Sequence, residues 1–239
     1  MVMSKILLDI VEICDKAGRP VNQDNFWVCP DVGAFIAGDT VAIDGAADLP
    51  LSDKGTLMVV ADGMGGMNAG EVASHIIIDS LKRSFSDLSS VVLGNDASVK
   101  GFIRRAIVAA DDEIKKYAAA HPETEGMGST VVLSWIIGET VYVGWCGDSR
   151  AYCYNPANGL VRLSHDHSYV QELVDSNKIS EEHAFNHPNN NIITRSLGDS
   201  GENARPEVRE YPLHSDDMLL LCSDGLCGLL RDEEIESIL

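Results

Sequence analysis

Three apolar runs in this chain each stop at an aspartate flanked by small residues: "VVADGMGG" at Asp62, "VGWCGDSRAY" at Asp148 and "MLLLCSDGLCG" at Asp224. A fourth stretch, "GRPVNQDNFWV", sets Asp24 just before another such run. One Asp-Gly after a strand is ordinary turn chemistry, because both residues suit turn geometry. Repetition at the ends of several core strands says more: the strands lie together with their acidic ends at one edge of a sheet. Gathered carboxylates repel one another unless cations neutralise them, and hard oxygen donors select Mg²⁺ or Mn²⁺.

The pattern between these points supplies the rest of the fold class. Residues 5–14, with β-branched Ile6, Ile10, Val11 and Ile13, read as a strand, and 26–61 as short strands and loops. Within the latter, "DVGAFIAGDTVAIDGAADLPLSDKG" reads as a hairpin or surface insertion. Two helices follow. Val72, Ala73, Ile76, Ile77, Leu81, Phe85 and Leu88 fall at three- and four-residue spacing, as do Ile103, Ala106, Ile107, Ala110, Ile114 and Tyr117 before Pro122. From Ser129 the period changes. "STVVLSWII" and "ETVYVGWC" form one hairpin around Gly138, and "RAYCYN" and "GLVRLS" another around Pro156 to Gly159. A polar helical stretch, strands near 206–213 and 217–223, and a helix begun by "RDEEIESIL" complete the chain. Strands, two adjacent helices and strands again predict an α+β domain with largely antiparallel sheets. With no linker or repeat in view, residues 1–239 are expected to form a single domain.

Charge narrows the partners. Thirty-seven acidic against 18 basic residues give a net charge of -19 over 239 residues, a surface that disfavours nucleic acid and anionic membrane. Asp9 and Glu12 interrupt the apolar N-terminal run, so it does not read as a signal peptide. The six cysteines carry no C-x-x-C pair and mostly fall in apolar runs, which fits buried reduced thiols and a cytoplasmic location.

Other chemistries fail on inspection. The glycine loop after Asp62 places Asn68 where a dinucleotide fingerprint needs its last glycine, and no Lys-Ser or Lys-Thr follows as a P-loop requires. "GDSRA" ends in Ala151 where a serine-hydrolase elbow has glycine. Four residues separate Cys14 from Arg19, where a cysteine phosphatase loop needs five. No covalent nucleophile is visible.

In order along the chain, "RPVNQDN", "ADGMGGMNAGE", "GSTVV", "GDSRAY", "DHSYVQELVDSNKISEEHAFNHPNNNIITRSLG" and "LLLCSDGL" resemble the metal-dependent serine/threonine phosphatases of the PP2C (PPM) family, bacterial type. The resemblance implies an α-β-β-α sandwich of two mainly antiparallel sheets flanked by helices. It implies hydrolysis of phosphoserine and phosphothreonine in proteins by a water activated between two Mg²⁺ or Mn²⁺ ions, with a third, weaker ion site. Asp62 matches the aspartate that bridges the two metals, Gly63 the glycine whose carbonyl ligates one, and Asp224 a ligand of the second. Asp24 matches an inner or water-mediated ligand, and Asp148 joins Asp224 at the third site. Arg19 matches the arginine that holds the substrate phosphate, which makes Asp62 and Arg19 the expected catalytic pair. Met64 stands where eukaryotic relatives have a histidine acid. Phosphoproteins, and a cognate kinase acting on them, are the implied partners of a monomeric enzyme.

"HDHS" at 165–168 could be a metal cluster by composition. The resemblance makes it instead the start of a flap over 165–198, with Asp166 capping the helix that carries Val170, Leu173 and Val174. Gly128, Ser129 and Thr130 match a strand start with a core role. Family members continue past the last helix to an Asp-Asn pair and a final strand, so a C-terminally short, weakly active or regulatory PP2C-like module is the alternative expectation. A phosphoesterase acting on small molecules is the other.

Overall fold

The strand Val131–Ile137 (β6) shows how the layers arise. Its sequence "VVLSWII" is apolar on both faces, which suits a strand covered from two sides. Val131, Leu133 and Trp135 face a helical layer, while Val132 and Ile136 face a second sheet. The computed structural model describes residues 6–39, 41, 47–66, 69–199 and 204–239.

In chain order, β1 is Leu7–Leu8, β2 Asp24–Cys29, α1 Val32–Ala37, β3 Leu49–Pro50 and β4 Thr56–Met64. Helices α2 (Ala69–Phe85) and α3 (Asp96–Ala120) precede β5 (Gly128–Ser129) and β6. Then come β7 (Thr140–Cys146), β8 (Arg150–Asn155), β9 (Gly159–Arg162), α4 (Tyr169–Asp175) and α5 (Glu181–Phe185). The remaining elements are β10 (Glu207–Pro212), β11 (Met218–Cys222), α6 (Asp224–Cys227) and α7 (Asp232–Ile238). The larger sheet runs β10-β7-β6-β4-β2, antiparallel at each step, with β5 paired to the end of β4. The smaller sheet is β11-β8-β9.

Helices α2 and α3 lay their apolar faces on the larger sheet, where Phe85, Phe102 and Trp135 meet at ring separations of 5.0–5.8 Å. The other face of that sheet packs on the smaller one through Val132, Val143, Trp145, Ala151 and Leu163. A third cluster of Tyr152, Cys222, Cys227 and Ile235 seats α7 beyond the smaller sheet. The result is the α-β-β-α sandwich expected. Among the described residues, no helix is long and apolar enough to cross a membrane.

Three local expectations change. Only Leu7–Leu8 of the 5–14 stretch, paired with β3, is strand, and residue 5 lies outside the described residues. Val11 and Ile13 are 92% and 91% exposed, because β-branched residues favour a strand only where a partner strand is present to pair with. The supposed hairpin at 31–55 opens with a helix: Asp31 Oδ1 accepts from the Gly33 and Ala34 amides at 2.7 and 3.0 Å, and Gly38 closes α1 at φ 87°. Residues 40 and 42–46 of that stretch lie outside the described residues. The helix at 169 is capped by Ser168, not Asp166, whose carboxylate is taken by Arg150. Five cysteines are buried as expected, while Cys14 is exposed.

Ser134 is the misfit of the core. It sits between Val132 and Ile136 on the face toward the second sheet, and its hydroxyl is the one buried side-chain polar atom without a partner among the described residues. An unsatisfied buried hydroxyl costs about 1–3 kcal/mol, so Ser134→Ala is expected to raise stability by about 1 kcal/mol in urea unfolding. A loss of stability on that substitution would contradict the assignment.

Candidate active site

The four acidic strand ends converge from both sheets. Strand β2 starts at Asp24 and lies opposite Asp62 of β4 in register. Asp224 opens α6 directly after β11 in the smaller sheet. The two sheets are tied here, since the Ser223 hydroxyl donates to Asp24 Oδ2 at 2.8 Å. Asp62 is 8% exposed, with Asp24 and Asp224 as its charged neighbours. Burial, reinforced by those two carboxyls, pushes the Asp62 carboxyl up to about 9.

Backbone contacts hold Asp62 in place. Its carbonyl accepts from the Thr130 amide at 2.9 Å and the Ser129 hydroxyl at 2.8 Å, while its amide donates to Thr130 Oγ1 at 3.3 Å. The Thr130 hydroxyl in turn meets Ser149 Oγ at 2.6 Å, linking Asp62 to the turn that carries Asp148. Gly63 passes between two backbones: a Cβ there would lie 2.0 Å from the Gly70 carbonyl oxygen and 2.8 Å from that of Gln23. Glycine is required by space.

Asp148 follows β7 on a turn made possible by Gly147 at φ 119°. Burial, with Asp166 and Asp224 adding repulsion, pushes its carboxyl up to about 7. A cleft of ≈ 600 Å³ opens over Asp148 and Asp224, and Arg19 lines its wall from an exposed turn closed by its amide to the Lys16 carbonyl at 3.0 Å. Asp62 and Asp24 are not among its lining residues. Among the described residues, no group of three or more His, Cys, Asp or Glu side chains is spread as a ready cage for a metal ion.

The "HDHS" residues part company. His165 pairs with Asp175 at 2.8 Å, and Asp166 takes Arg150. The His167 ring accepts from the Gly147 amide at 3.2 Å, and burial lowers its pKa. Sequence reasoning missed Ser223, Arg150, Arg162 and Arg231, all beside the acidic ends or in the cleft wall. "CSDG" and "GDSRA" did place Ser223 and Arg150 next to singled-out aspartates, which was the signal available.

The sequence model of the protein phosphatase 2C family matches residues 39–239. The chain belongs to the protein phosphatase 2C family. The serine/threonine phosphatase stp of Listeria innocua serovar 6a is 36% identical over 188 residues, covering 78% of this chain and 73% of that one. Serine/threonine phosphatase Stp1 from Staphylococcus aureus superposes with a TM-score of 0.76 at 31% identity, over 93% of this chain and 78% of that one. The catalytic domain of the phosphatase PstP, in complex with two manganese ions, gives 0.67 at 27% identity over 92% and 78%. This phosphatase is thus a protein serine/threonine phosphatase of a metal-dependent family, acting on phosphoproteins.

The raised carboxyls have a consequence for the metal-free phosphatase. A folded-state pKa above the ordinary 3.8 means the folded form binds the extra proton, so stability is full below pH 4 and declines as pH rises toward about 9. Asp148 acts with the same sign up to about 7, and His167, held neutral, opposes it only around its ordinary 6.5. Thermal melts in chelator are therefore expected to fall between pH 7 and 9, and Asp62→Asn to flatten that fall. A melting temperature constant or rising over that range would refute the account.

Proposed function

We propose that Asp62, Asp24, Asp224 and the Gly63 carbonyl hold two divalent cations, Mg²⁺ or Mn²⁺, with Asp148 and Asp224 offering a third, weaker position. The reading rests on one observation: Asp62 is buried with Asp24 opposite it in register and Asp224 as a charged neighbour, and burial, then those two carboxyls, push its carboxyl up to about 9. Carboxylates and a backbone carbonyl are hard donors, and their excess negative charge is the deficit a divalent ion fills. Such ions, when bound, acidify water and neutralise phosphate oxygens.

The chain's own residues do the rest. Arg19 faces the cleft with a planar guanidinium suited to forked bonds with a phosphate. Ser129 and Thr130 fix the Asp62 backbone so that its carboxylate keeps one position as charge builds on substrate. Met64, the last residue of β4, has no proton to give a leaving group. The substrates are phosphoserine and phosphothreonine side chains of proteins, including those modified by a cognate kinase, and the whole chain works as one domain.

Hydrolysis of a phosphothreonine peptide with Mn²⁺ is the test. A chelator, Asp62→Asn or Asp224→Asn is each expected to lower the rate at least about a hundredfold, ~2.7 kcal/mol of barrier. Asp148→Asn should cost far less. Arg19→Ala is expected to raise KM about tenfold with kcat little changed, the signature of lost uniform binding. Full activity in chelator, or of the Asp62 variant, would reject the proposal.

A further inference from the structure

One guanidinium joins the two walls of the cleft. Arg150, the first residue of β8, keeps its side chain 18% exposed. Its Nε donates to both carboxylate oxygens of Asp166 at 3.0 Å, and Nη2 donates to Oδ2 at 2.7 Å. On the other side, Nη1 donates to the Tyr152 hydroxyl at 3.1 Å and to Asp232 Oδ1 at 3.2 Å. The Tyr152 hydroxyl donates to the same Asp232 oxygen at 2.9 Å, closing a triangle. Asp166 is at the root of the 165–198 segment, and Asp232 is the first residue of α7.

A second strap crosses higher up. The guanidinium of Arg231, N-cap of α7, lies 5.2 Å from the centre of the Phe185 ring on α5. Both straps connect the same two walls, and both line the cleft that contains Arg19. No hydrogen bond of Arg150 reaches Asp62 or Asp24; its partners are Asp166, Tyr152 and Asp232. A buried ion pair adds little net stability over an apolar pair of the same size. What a forked pair adds is orientation.

We propose that Arg150 is a positioning residue for phosphoprotein substrates: its fork on Asp166 and its reach to Asp232 hold the 165–198 segment at one angle to α7. A phosphopeptide extends between those walls, whereas a small phosphate ester needs only Arg19 and the acidic ends. The inference rests on the cleft being the catalytic site.

Arg150→Lys keeps the charge and loses the fork. It is expected to raise KM for a phosphothreonine peptide about tenfold while kcat for p-nitrophenyl phosphate stays within about twofold. Hydrogen exchange on the metal-free protein should quicken at the amides of α4 and α5 and stay unchanged in β4 and β6. Equal losses on both substrates, or an unchanged peptide KM, would overturn the proposal, as would wild-type exchange rates in α4 and α5. Should Arg150→Lys fail to fold, Asp232→Asn and Phe185→Ala loosen the straps from the surface and must raise the peptide KM in the same sense; no shift in either overturns it. Wild-type protein that hydrolyses neither substrate with Mn²⁺ would sink the catalytic reading, and the exchange measurement would then judge the strap alone.

Discussion

Repulsion among Asp62, Asp24 and Asp224 is the constraint on which the rest of the structure depends. No isolated chain segment would bring three carboxyls together in a site where one of them is 8% exposed. The surrounding fold must hold them there against their charge, and apolar packing does so. Helices α2 and α3 press on one face of the larger sheet and the smaller sheet presses on the other. A close-packed interior yields little, so the strand ends cannot drift apart to relieve the strain. The energy stored in that proximity is available to whatever neutralises it.

The polar scaffold around Asp62 is organised for the same purpose. Ser129, Thr130 and Ser149 are all buried, and their hydrogen bonds run from the Asp62 backbone to the Asp148 turn. Gly63 and Gly147 let the chain pass where a side chain would collide. These residues carry no charge to substrate, yet they decide where the charged residues stand. Beyond them, the cleft walls come from segments with little core contact of their own. α5 has no buried residue; an ion pair from Arg162 to Glu181 and the Arg231–Phe185 ring contact tie it to its surroundings.

Much of this was legible in the sequence because periodicity and turn chemistry are local signals. The two helices, the hairpins after Ser129 and the strands ending at Asp62 and Asp224 follow from spacing alone. What was misread depended on partners distant along the chain. Val11 and Ile13 have strand-forming side chains but no strand beside them. Asp166 had the composition of a helix cap, but Arg150, sixteen residues earlier, claims it and leaves the cap to Ser168. The α1 helix was a different kind of miss, since Asp31 and Gly38 mark its ends locally. At the site, the aspartates were visible as repeated strand ends, while Ser223 and Arg150 were hidden in plain view beside them.

The acidic ends are shared between two sheets that meet only through side chains. Asp24 and Asp62 belong to the larger sheet, Asp224 follows the smaller, and Asp148 sits where the chain passes from β7 to β8. The site therefore works as a caliper across the sandwich. Its gap is set by the thickness of the apolar layer made by Val132, Val143, Ala151 and Leu163. A methyl group gained or lost in that layer would be felt in the gap between oxygen atoms some distance away. Under the metal centre proposed above, residues with no polar atom in their side chains would share in setting the affinity for a cation.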